Sequence, residues 1–218
     1  PTVSLNAVTS PTSVTSQTIT GTVESGATVS VATSTAASDG SATVSGTTWS
    51  YTITGLVAGA NGITVTATDT AGNTATATGS ITLDTTAPSC LVTINSNDTY
   101  TTSTTVTLNL TATDTAGVTG YYASETATTP SSGDSGWTAV TSTTSYSANV
   151  PFTLSSSDGK KTVYVWYKDA AGNVSSAASD SITLKELPVV STFQINNGAA
   201  DTTSRTVKLN NTATGSPT

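Results

Sequence analysis

Ile63-Thr-Val-Thr-Ala-Thr-Asp-Thr-Ala-Gly-Asn-Thr-Ala-Thr-Ala-Thr78 carries two signals in one stretch. Ile63, Val65 and Ala67 alternate with threonines, the period-two mark of a half-buried strand whose β-branched Thr residues suit the outer face. Asp69-Thr-Ala-Gly-Asn73 then reads as a turn. An Asp side chain accepts hydrogen bonds from the amides that follow it, Gly supplies a positive φ, and Asn tolerates the left-handed region. The turn returns as Asp169-Ala-Ala-Gly-Asn173. A period of about 100 residues predicts a string of similar modules, each large enough for its own core.

Working outward, the same alternation marks candidate strands at 3–8, 17–23, 27–33, 48–54, 62–69 and 74–83. A second set lies at 91–95, 104–113, 118–124, 152–154, 161–168 and 174–184. Trp49, Tyr51 and Ile53 alternate on one face and are expected in the first core. Six or seven short strands separated by turn signals predict an antiparallel β-sandwich. Thr85-Thr-Ala-Pro88 and Leu187-Pro188 divide the chain, because proline presets φ and restricts the residue before it. The expected modules are 1–86 and 87–185. Residues 186–218 read as a linker plus the first two strands of an incomplete third module. Ile195-Asn196, Thr206-Val-Lys-Leu-Asn210 and Thr212-Ala-Thr214 repeat Ile94-Asn95, Thr105-Val-Thr-Leu-Asn109 and Thr111-Ala-Thr113. Two strands alone are marginal in water, so this segment is expected either to be cut short or to pair with a neighbouring chain.

Composition bounds the chemistry. Apolar residues are 35% of the chain and charged residues 9%, while Thr and Ser make up roughly two in five. The net charge is −7, residues 1–89 hold no Lys or Arg, and all six basic residues lie between Lys160 and Lys208. Nucleic acid is therefore not an expected partner. No apolar run approaches a membrane span of about 20 residues. With no initiating Met and no signal-like N-terminus, the chain reads as a mature product or an excised piece. There is one Cys and no His or Met. Cys90 has no intrachain partner, and reads either as a small buried thiol or as half of an interchain disulfide. Without His the usual general base is missing, and no phosphate loop or Cys/His cluster is present, so no catalytic residue is assigned.

Gly21-Thr-Val-Glu-Ser-Gly-Ala-Thr-Val-Ser-Val31, Trp49-Ser-Tyr-Thr-Ile53, Ala67-Thr-Asp-Thr-Ala-Gly-Asn73 and Asp84-Thr-Thr-Ala-Pro88 resemble the bacterial immunoglobulin-like modules of long surface adhesins. Thr162-Val-Tyr-Val165, Lys168-Asp-Ala-Ala-Gly-Asn173 and Ser179-Asp-Ser-Ile-Thr-Leu184 resemble a related Thr-rich Ig-like or fibronectin-like repeat. The resemblance implies tandem sandwiches in an extracellular stalk, adhesin or filament component of a bacterial surface. Its partners would be neighbouring subunits or modules, or an extracellular protein or glycan.

Three sites carry alternatives. The Asp-x-Ala-Gly-Asn turn is either a plain structural turn or part of a calcium site. In such a sandwich Asp114 and Asp169 sit in loops at the pole where the chain enters, and Asp84 lies in the linker arriving there. Three carboxylates would suit Ca²⁺, a hard cation that prefers oxygen; related adhesin modules are implied to stiffen linkers this way. Lys185 stands where Asp84 would be at the next junction, which argues against a copy there. In the strand 160–168, Val163, Val165 and Tyr167 form an inner face and leave Lys160, Tyr164, Trp166 and Lys168 outside. These form either a protein or sugar platform, hence an alternative reading as a carbohydrate-binding module, or a covered surface with Trp166 inside. The Thr rows 64–68 and 74–78 are either solvent faces or ordered hydroxyls for ice or sugar. Asn97-Asp-Thr99, Asn109-Leu-Thr111, Asn173-Val-Ser175 and Asn210-Asn-Thr212 fit the N-glycosylation pattern.

Overall fold

The computed structural model describes residues 1–185, 189–198, 200, 203, 206 and 208–214. Among these the chain is β throughout, with one 3-10 turn at Asn196–Gly198. Two sheets enclose the first core. One contains β1 (Ser16–Thr22), β5 (Thr48–Thr54) and β4 (Thr43–Ser45) in that order. The other contains β3 (Gly40–Ser41), β2 (Thr28–Thr33), β6 (Gly59–Thr68) and β7 (Thr74–Leu83). Ile19, Val29, Val31, Trp49, Ile53, Ile63, Val65 and Ile81 point between the sheets and are buried. Tyr51 is half-buried against them. The strand expected over 3–8 is a looser edge. Val3 bridges Val23, and the Ser4 and Asn6 amides donate to the Thr22 and Thr20 carbonyls. The chain then crosses to the second sheet, where Thr12 bridges Leu83 in parallel.

Gly21 makes that edge possible. The Ser4 carbonyl accepts the Trp49 Nε1 hydrogen at 3.0 Å. A Cβ at residue 21 would lie 1.9 Å from the same carbonyl oxygen and 2.7 Å from Nε1. Gly21→Ala is therefore expected to destabilise the first module by about 1–3 kcal/mol, the usual cost of forcing atoms into a packed site. Its denaturant midpoint should fall with the slope unchanged.

The second module turns a corner. β8 (Ser89–Ile94) pairs with the first half of β10 (Thr105–Ser124), which also pairs with β11 (Thr138–Thr153). The second half of β10 pairs with β12 (Gly159–Asp169), β12 with β13 (Ala178–Leu184), and β13 in parallel with β9 (Tyr100–Thr101). Register shifts between Thr113 and Val118 mark the corner, and Gly117 sits there at φ 94°. Val92, Ile94, Val106, Leu108 and Leu110 from the first layer pack with Val118, Val163, Val165, Tyr167 and Ile182 from the second. The two strands expected at 104–113 and 118–124 are thus one bent strand. β11 is much longer than the expected 152–154, and the expected 174–184 is shorter, with Val174 only bridging Lys168.

Beyond Lys185, β14 (Val189–Ile195) pairs antiparallel with β15 (Leu209–Thr214). Ile195 stands opposite Leu209 as Ile94 stands opposite Leu108, so the register of β8 and β10 recurs over Thr192–Ile195, up to a shift between Val190 and Thr192. Residues 186–188 and 215–218, and several between the two strands, lie outside the described residues.

Candidate functional site

The fold brings the three sequence-predicted carboxylates together. Asp84 follows β7, Asp114 lies on the corner of β10, and Asp169 ends β12. Each offers one oxygen, and these oxygens lie within 4.8 Å of one another. Local backbone geometry aims each side chain. Asp84 Oδ1 accepts the Thr86 amide at 2.9 Å. Asp114 Oδ1 accepts the Ala116 and Gly117 amides at 2.8 and 3.1 Å. Asp169 accepts the Asn173 amide at 2.9 Å on Oδ1 and Asn173 Nδ2 at 2.7 Å on Oδ2. Ala170 donates to the Gly117 carbonyl at 3.0 Å, tying the two loops of the second module together.

The electrostatics are unfavourable as they stand. Asp114 and Asp169 are buried, and Asp84 Oδ2 is a buried oxygen with no hydrogen-bond partner. Burial pushes the Asp114 carboxyl above its ordinary pKa; the Ala116 amide opposes the rise, and the charges on Asp169 and Asp84 add to it. A buried acceptor without a donor and like charges held together are both costly. An all-carboxylate donor set with one orphaned oxygen fits a hard divalent cation, which would answer both costs.

The two copies of the turn share their geometry and differ in surroundings. In each the Asp amide donates to the Asn carbonyl and the Asn side chain returns to the Asp carboxylate, at 2.8 Å for Asn73 and 2.7 Å for Asn173. The Asn73 side chain holds Asp69 below the usual carboxylate range. At the first module's pole the Asn73 side chain bonds Asp69 and is exposed. At the second, Asn173 Nδ2 reaches the preceding linker, donating to the Asp84 carbonyl at 2.9 Å and approaching that of Thr86 at 3.4 Å. The sequence casts Asn173 as a turn former and as part of an N-glycosylation pattern, not as a contact to the linker; nothing in the Asp-x-Ala-Gly-Asn motif distinguishes it from Asn73.

The proposed aromatic platform is corrected. Trp166 is 0% exposed. Alternation did place Tyr164, Trp166 and Lys168 away from the core, but residues 125–137 fold over that face. The Trp166 ring packs edge-on to Tyr122 at 6.1 Å and stacks on Tyr164 at 6.2 Å, and Trp137 closes on Tyr122 at 5.8 Å. Lys168 Nζ donates to the Ser132 carbonyl at 2.8 Å and lies 5.0 Å from the centre of the Trp137 ring. Lys160 is exposed but apart from the ring cluster, and Tyr164 is half-buried. Trp137 was missed because its segment carries no periodic pattern. A buried ring offers no stacking face to a sugar.

The remaining candidates are plain. Cys90 is half-buried, its Sγ donating to Ser175 Oγ at 3.6 Å and to the Ser176 carbonyl at 3.7 Å. Thr64, Thr66 and Thr68 stand opposite Thr78, Thr76 and Thr74. Neighbouring strands twist by about 20–25°, which keeps these hydroxyls from forming a flat lattice. No helix among the described residues is long and apolar enough to cross a membrane.

A family profile described as a bacterial Ig-like domain matches residues 6–85. Among solved structures, the fibronectin(III)-like modules of Clostridium thermocellum CbhA share 15% identity over 85% of this chain and 95% of theirs, with a TM-score of 0.50. A tetra-tandem repeat from the extending region of a large adhesion protein shares 21% identity over 98% of this chain and 62% of its own, at a TM-score of 0.32. No curated protein matches the sequence.

Proposed function

We propose that this chain, whose residues 6–85 match a bacterial Ig-like domain, is a non-catalytic, load-bearing segment of an extracellular bacterial surface protein whose first junction is stiffened by Ca²⁺. The observation that carries this reading is the junction itself. A carboxylate from one module's exit linker meets two from the next module, with one oxygen left unpartnered. Ca²⁺ bridging Asp84, Asp114 and Asp169 would tie the end of β7 to the corner of β10 and the end of β12, removing the freedom a short linker otherwise has. Antiparallel sandwiches then pass load from one module to the next. The experiment is small-angle scattering of the whole chain in calcium and in chelator. The expected result is an elongated particle whose dimension spread widens on chelation; identical curves would remove the calcium-stiffened junction from the reading.

A second reading is favoured by one observation. Ile195 and Leu209, opposite one another on β14 and β15, are 47% and 59% exposed. An exposed apolar pair on a two-stranded sheet suits pairing with a neighbouring subunit into a filament. Electron microscopy should then show regular fibres that disappear on deletion of residues 189–218; only separate particles would dismiss this reading.

A further inference from the structure

We infer that Asn173 is a positioning residue that clasps the first module's exit linker to the second module without any metal, and so presents Asp84 to the carboxylate cluster. The inference rests on the stiff-junction reading and adds the device that holds the junction before a cation arrives. Three acceptors converge on one side-chain amide: the Asp84 carbonyl at 2.9 Å, Asp169 Oδ2 at 2.7 Å and the Thr86 carbonyl at 3.4 Å. Two of them belong to the linker and one to the turn at the end of β12. A single planar group therefore fixes the linker backbone and the carboxylate of a neighbouring cluster member in the same orientation. Linker and turn meet nowhere else through so short a polar contact among the hydrogen bonds of the described residues. Asp84 is anchored from its other side too, its amide donating to the Thr12 carbonyl at 2.9 Å. The residue is held between the two modules, and its Oδ2 is buried without a hydrogen-bond partner.

The chain contains its own control. Asn73 makes the same intraturn bonds, but among the described residues its Nδ2 has only Asp69 as partner, and it is exposed. Loss of Asn73 reports what the turn alone is worth; loss of Asn173 reports the turn plus the clasp.

The test measures the distance between spin labels at exposed Thr43 and Thr107, each replaced by Cys in a Cys90→Ser background of the whole chain, with chelator throughout. The parent and Asn73→Ala are expected to give one narrow distance peak, and Asn173→Ala to lose it for a broad distribution. Asp114→Asn, which removes a carboxylate but not the clasp, should keep the narrow peak. A narrow peak for Asn173→Ala would overturn the clasp while leaving a stiff junction standing. A broad parent, in calcium and chelator alike, would bring down the stiff junction and the clasp with it. Exchange of the side-chain amide hydrogens in the unmodified chain decides the matter even if Asn173→Ala fails to fold. Asn173 should exchange more slowly than Asn73 in chelator, and equal rates would overturn the clasp.

Discussion

Trp166→Ala is expected to cost the second module about 3–5 kcal/mol, the range for removing a large buried aromatic. The ring has no exposed surface and lies on the side of β12 opposite Val163, Val165 and Tyr167. It is therefore the centre of a second, smaller apolar layer under residues 125–137, with Tyr122, Tyr164 and Trp137 around it. Its removal would leave a cavity beneath a segment that has few other anchors. Those to the rest of the module are the Ser155 amide and hydroxyl donating to the Glu125 carboxylate at 2.7 and 3.2 Å and the Lys168 bond to Ser132 at 2.8 Å, while Trp137 Nε1 on the Ser131 carbonyl at 2.8 Å and the Ser131 amide on Asp134 at 2.9 Å close the segment on itself. The loss is a large part of the roughly 5–15 kcal/mol that a domain possesses. Chemical denaturation should show the second module's transition moving to lower denaturant while that of the first stays in place. An exposed tryptophan would behave differently, changing stability by no more than about 0.5 kcal/mol. That smaller result would contradict the burial described here.

Trp166 also shows where sequence legibility stops. Alternation along β12 is a local property and correctly separated Val163, Val165 and Tyr167 from Tyr164, Trp166 and Lys168. Whether the second face meets water depends on a segment some 30–40 positions away, which supplies Trp137 and the Ser132 carbonyl without any periodic pattern. For the same reason β11 was foreseen only over 152–154. Thr138–Ser145 are almost all polar on both faces, so their strand state comes from pairing with β10 rather than from burial. In the first module the strands with one buried face, such as β2, β5, β6 and β7, were legible nearly to their ends, because each alternates core and solvent residues. The carboxylate cluster was legible for a topological reason: in a sandwich, the entering chain and the loops at that pole must meet. The contact of Asn173 with the linker was not, since it depends on the angle between modules, and that angle leaves no mark on the motif.

Calcium added to the metal-free chain is expected to raise the melting temperature of the second module, and Asp114→Asn is expected to abolish the rise. Any ligand that binds only the folded state stabilises by RT ln(1 + [L]/Kd), about 2.7 kcal/mol at a hundredfold excess over Kd. The variant makes the argument two-sided. An Asn at 114 still offers an oxygen to the Ala116 and Gly117 amides, so the corner of β10 keeps its geometry. What it removes is one of three carboxylates packed together in a partly desolvated place. In chelator the variant should therefore melt above the parent, because it relieves repulsion, and in calcium it should melt below. The pH dependence has the matching sign. The folded pKa of Asp114 is raised, chiefly by burial, so its contribution to metal-free stability is fully present below its unfolded pKa and is lost as pH rises through the folded value. Calcium needs the ionised form and reverses this, favouring the folded chain as pH rises. Crossing melting curves for parent and variant are the expected outcome. Curves that do not respond to calcium, with the variant no more stable than the parent in chelator, would mean that the three carboxylates meet without holding a cation.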